Sequence, residues 1–142
     1  MYPEIKLLHS YIAVLLLAVL LFAIIFNTYA WVRKTPFSKT NKIIALLGLA
    51  SAHTQFLLGA ILYFLSPLGM SNFSGDAMKN SGSRMYVLEH PLIMIIAVVL
   101  ISFGYMKANR LTADNQKYKK IVIFYSIGLF LILSRIPWNA WF

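Results

Sequence analysis

Residues 7–26 read LLHSYIAVLLLAVLLFAIIF, an uncharged run whose only polar members are His9, Ser10 and Tyr11. A helix rises about 1.5 Å per residue, so a run of about 20 residues spans about 30 Å of hydrocarbon with its internal backbone hydrogen bonds satisfied. Working outward, further blocks of this kind lie at 43–65, 85–106 and 121–138. The second carries no charge but holds Ser51, His53, Thr54 and Gln55. The third has Glu89, His90 and Pro91 near its start, and the fourth has a single charge, Arg135.

Composition agrees with this reading. The 142 residues are 60% hydrophobic and 12% charged, whereas soluble domains are about half apolar and about a quarter charged. Four crossings use up most of the length and leave no room for a separate soluble catalytic module. The first block is longer than the apolar core of a signal peptide, follows no basic segment and precedes no small-residue cleavage site, so it is read as a retained helix. The expected fold is all-α: an integral membrane four-helix up-down bundle, one domain over 1–142, with helices at about 5–31, 43–65, 85–107 and 120–139. The absence of cysteine excludes disulfides, thiolate metal sites, iron–sulfur clusters and covalent haem attachment.

Charge then orients the bundle. Segments 33–42 and 107–120 together hold nine Lys or Arg against Asp114, or +8 of the chain's net +9. The opposite side has Lys6, Lys79, Arg84 and Arg135 against Glu4, Asp76 and Glu89. Short basic loops stay in the cytoplasm, which places both termini outside. The same clusters suit anionic lipid, so the basic balance gives no reason to expect a nucleic acid partner. Segment 66–84 is rich in Ser, Gly and Asn and reads as an exposed external loop. Tyr29, Trp31, Tyr118, Trp138 and Trp141 fall near predicted helix ends, where amphipathic rings favour the interface.

The chain has three histidines, each in a different apolar block, and ionisable groups inside a membrane are expensive and functional by default. His9, His90 and Arg135 are expected at similar depth, roughly 5–10 Å inside the outer boundary, and His53 about 18 Å down, near the midplane. In an up-down bundle the first and third helices are diagonal, with axes roughly 11–14 Å apart, so inward imidazoles from both can reach one iron. His9 and His90 are therefore the expected axial ligands of a haem b, which needs no cysteine. Arg135 would hold a propionate or pair with Glu89. His53 could replace His9 as ligand, serve a deeper haem, pass protons, or simply hydrogen-bond with Thr54, Gln55 or a backbone carbonyl on another helix. Small residues at sevens from these groups, Ala97 and Gly104 after His90, Ala60 after His53 and Gly128 before Arg135, would give room for a flat cofactor or allow close helix contact.

The strings LLHSYIAVLLL, SAHTQFLLGAILYFLSP, EHPLIMIIAVVLISFGY and FYSIGLFLILSRIPW, in this order, resemble short bacterial four-helix membrane proteins labelled cytochrome b-like. The resemblance covers most of the chain and implies a b-haem protein of the bacterial cytoplasmic membrane, with His9, His53 and His90 as the motif histidines. With three histidines in all, two bis-histidine haems are impossible. The expected function is electron transfer by one haem toward the external leaflet, with a quinol as donor and a larger respiratory complex as possible setting, hence a quinol-linked oxidoreductase component. A cofactor-free membrane subunit or assembly factor is the first alternative. A copper or zinc site on His9 and His90, with or without Glu89, is the second.

Overall fold

Local chemistry sets where each helix begins and ends. The computed structural model describes residues 1–141, which are mostly helical with no strand among them. Helix α1 (Tyr2–Val32) carries Pro3 in its first turn, where the missing N–H has no intrahelical partner to lose. Helix α2 (Lys39–Leu65) begins earlier than the apolar block because Ser38 and Asn41 form a reciprocal capping box. A one-turn 3₁₀ segment and the short helices α3 (Gly75–Lys79) and α4 (Ser81–Arg84) occupy the long connection. A π-helical turn, Met85–Glu89, then leads without a break into α5 (His90–Arg110), which α6 (Asp114–Ser134) follows closely.

The last helix differs most from expectation. It starts at Asp114 rather than near 120 and stops at Ser134 rather than near 139. The lysines at its start are good helix formers, and hydropathy alone misses such a turn. At the other end Pro137 disfavours helix at Ile136 and offers no N–H to the carbonyl of Leu133. The Trp138 indole donates to that carbonyl instead, at 3.1 Å. Arg135 therefore caps α6 rather than sitting inside it.

Among the described residues, three stretches are long and apolar enough to cross a membrane: Tyr2–Val32, Lys39–Leu65 and Ser81–Arg110. The apolar part of α6 is shorter, because Lys117, Lys119 and Lys120 fill its first turns. Helix α1 lies against α2 and α6, and α5 lies against the same two, while α1 and α5 are not closely packed partners. The start of α1, the end of α2, the start of α5 and the end of α6 meet at one end, as the contacts His9–Gln55 and His90–Arg135 record. Outward faces carry Phe22, Leu57, Val99 and Phe130, all more than half exposed, an apolar surface suited to lipid.

The small residues on α5 and α6 serve helix contact. A Cβ added at Gly104 would stand 2.5 Å from the Cβ of Phe124, and one at Gly128 would stand 2.6 Å from Ile101. Ala97 is fully buried in the same core. The space expected beside a cofactor along these stripes is filled by the neighbouring helix. Tyr118 also departs from expectation: its ring is buried rather than interfacial, and its hydroxyl donates to the carbonyl of Thr35.

Candidate functional site

His9 comes from the third turn of α1 and His90 from the first residue of α5. Their ring centroids are 6.4 Å apart with planes at 87°. The route into His90 is unusual. Pro91 cannot supply an N–H to the carbonyl of Val87, and the Tyr63 hydroxyl on α2 donates to that oxygen at 2.8 Å. The π turn just before His90 adds a residue to the helical repeat, a feature that recurs at functional sites.

His90 is held in one tautomer. Its Nδ1 lies 2.7 Å from the backbone oxygen of Arg135. A carbonyl only accepts, so Nδ1 carries the proton and Nε2 presents a lone pair. No hydrogen bond to Nε2 occurs among the described residues. This is how metal-ligating histidines are usually fixed: the second nitrogen donates to a carbonyl and the first is left to coordinate.

His9 is seated against α2. Gln55 donates through Nε2 to the His9 carbonyl at 2.9 Å, and the same nitrogen lies 3.4 Å from His9 Nε2. Gly59, one turn further along α2, faces the imidazole; a Cβ there would stand 3.1 Å from Cε1. Nδ1 of His9 and Oε1 of Gln55 are buried without a hydrogen-bond partner, and among the described residues that are not exposed no other side-chain nitrogen or oxygen is. Buried polar atoms are almost always satisfied, so two such atoms in one contact single out this spot. Sequence reasoning missed Gly59 and gave Gln55 only to His53. The available signal was their spacing of four, which puts both on one face of α2.

Arg135 contributes in two ways. Its backbone orients His90, and its side chain pairs with Glu89, Nε to Oε1 at 3.4 Å. Arg84 holds the other Glu89 oxygen at 2.7 Å. With 43% of the Arg135 side chain exposed, solvent screens this pair and it adds little stability. Glu89 is thus engaged by two guanidinium groups, and no set of three His, Asp or Glu placed to hold a metal ion occurs among the described residues.

His53 lies elsewhere. Its Nε2 is 2.8 Å from the Ser102 hydroxyl on α5, and that hydroxyl donates to the carbonyl of Val98 at 2.7 Å. The imidazole is exposed at the side of the molecule, and no hydrogen bond or ring contact joins it to His9 or His90.

The donor set can be compared with what a haem requires. The His9 and His90 rings meet edge to face with centroids 6.4 Å apart, so both imidazoles border one place. A porphyrin supplies its own equatorial nitrogens and asks the protein for axial ligands alone, so a two-histidine set suits it where a bare ion would be under-coordinated. The chain matches no known family model, no curated protein and no solved structure. Its likeness to cytochrome b-like proteins accordingly rests on the four quoted motifs alone.

Proposed function

We propose that this chain is a b-type haem electron-transfer protein of the bacterial cytoplasmic membrane. It would cross the bilayer as an up-down four-helix bundle with α1, α2, α5 and α6 as its spans. The basic loops would lie in the cytoplasm, with both termini and the histidine pair toward the external leaflet. The observation that carries the reading is the opposition of His9 and His90 at 6.4 Å, with Nδ1 of His90 committed to the Arg135 carbonyl.

When bound, haem b supplies a one-electron redox centre. The residues of this chain do the rest. His9 and His90 would hold the haem iron through their imidazole nitrogens. The Arg135 carbonyl fixes the His90 ring and raises its basicity. Gly59 leaves the space in which the His9 ring can settle. The Arg135 guanidinium, at the rim and shared with Glu89, sets the local charge. The electron donor would be a lipid-soluble quinol, and the acceptor external or a neighbouring subunit of a respiratory complex.

A second reading has specific support. Seven residues deeper on the same faces, Leu16 and Ala97 are buried in a continuous core with Ala52 and Ile132, and Arg135 already has a partner in Glu89. These features suit a cofactor-free membrane subunit whose histidines tie helices together. Visible absorption of protein purified after haem-replete expression separates the two. The haem reading requires a Soret band that is lost in both His9→Ala and His90→Ala and kept in His53→Ala. Protein without a Soret band supports the second reading. Loss in His53→Ala with retention in His9→Ala would reassign the ligands to His53 and His90.

A further inference from the structure

We infer that the outer face of α2 around His53 is a contact surface for a second copy of this chain within the bilayer. The observation is one of depth. His53 stands near the centre of α2, fourteen residues beyond Lys39 and twelve before Leu65. At about 1.5 Å per residue it lies about 18–21 Å from either end of the helix. Its ring is nevertheless exposed at the side of the molecule, in the groove where α2 meets α5. Polar groups at this depth face the interior of a bundle or another helix, because hydrocarbon offers them no partner.

One nitrogen of the ring is accounted for. Nε2 meets the Ser102 hydroxyl at 2.8 Å, while no described residue bonds Nδ1. Ser102 also reaches the Val98 carbonyl at 2.7 Å. Because a hydroxyl both donates and accepts, Ser102 can serve either tautomer of His53. With its proton on Val98 it accepts from Nε2–H and leaves Nδ1 as an acceptor. With its proton on Nε2 it leaves Nδ1–H as a donor. Two copies related by a two-fold axis along the membrane normal bring the two imidazoles to one depth automatically. One tautomer of each then gives an Nδ1–H to Nδ1 hydrogen bond. The face is complementary to itself and needs no other group.

Surrounding residues allow the approach. Ala50 and Thr54, four apart on either side of His53, are exposed, and the Thr54 hydroxyl turns inward onto the Ala50 carbonyl at 2.9 Å. Small residues at this spacing let membrane helices come close. Leu57 on α2 and Ile95 on α5 extend the face with exposed apolar side chains. This surface is separate from the histidine pair, so its fate and that of the haem reading are independent.

The test uses the absence of native cysteine. Single cysteines are placed at Ala50→Cys, on the face, and at Phe130→Cys, on the 71% exposed outer side of α6. The full-length protein is reconstituted in phospholipid vesicles at low protein-to-lipid ratio and oxidised. Disulfide-linked dimer is expected at position 50 and not at 130. Adding His53→Leu to the Ala50→Cys chain should weaken association about three- to tenfold, the range of one hydrogen bond between membrane helices. His53→Asn should restore part of it. No crosslink at 50, equal crosslinking at both positions, or crosslinking indifferent to His53→Leu would each overturn the inference. Because the first contrast keeps the imidazole, it decides the matter even where His53→Leu does not fold.

Discussion

Two polar clusters sit at opposite ends of the same helices, and only one of them is complete. At the basic end, the fully buried Asn27 donates to the Ala23 carbonyl at 2.9 Å and accepts from Asn41 at 3.3 Å. Asn41 accepts from the backbone N–H of Ser38 at 2.9 Å and from its hydroxyl at 2.8 Å, and Tyr118 closes the group onto the Thr35 carbonyl. At the histidine end, Nδ1 of His9 and Oε1 of Gln55 are buried and unpaired. A closed network of this kind locks helices in register, and each bond adds about 1 kcal/mol net. An open one costs stability unless something else completes it. The contrast is between an end closed on itself and an end that, on the proposed reading, a bound haem would complete.

The sharpest way to break that contrast is to remove His90. His90→Ala should abolish haem incorporation, read as the Soret band, while the protein still folds, read by far-ultraviolet circular dichroism. Full haem retention would make the two ends equivalent. Next, Asn41→Ala should cost about 1–3 kcal/mol in denaturant unfolding, because it leaves Asn27 and Ser38 without their partner, yet leave haem content unchanged. A fall in haem per folded chain would erase the distinction between the ends. Gly59→Ala should act more gently. Its Cβ would stand 3.1 Å from the His9 ring, so the ring must shift by a few tenths of an ångström, which a displaced Soret maximum or lowered occupancy would register. The smallest effect belongs to Arg135→Leu. Loss of one screened positive charge near the iron should lower the midpoint potential by less than about 59 mV, one factor of ten for a single electron. An unchanged potential would leave the guanidinium with only its structural pairing to Glu89.

Much of the fold was legible in the sequence, because hydropathy at this strength admits little besides helices. The apolar blocks and the joint position of His9, His90 and Arg135 at one end all follow from run length and a rise of about 1.5 Å per residue. What hydropathy could not register was backbone chemistry. The early start of α6 is written in lysines, and its early stop in Pro137. The π turn before His90 has no hydrophobic signature. Gln55 and Gly59 were hidden for another reason: each matters only because α1 lies against that face of α2, a tertiary fact. His53 was misleading in the opposite sense. Its place in the middle of α2 was legible, but position along a helix does not say which way a side chain points, and this one points outward to Ser102.

The most direct test of the central claim is the reduced-minus-oxidised visible spectrum of the purified wild-type chain, with haem quantified against protein. The account predicts a b-type α-band and one haem per chain, held by His9 and His90. A flat difference spectrum from folded protein produced with ample haem would contradict it.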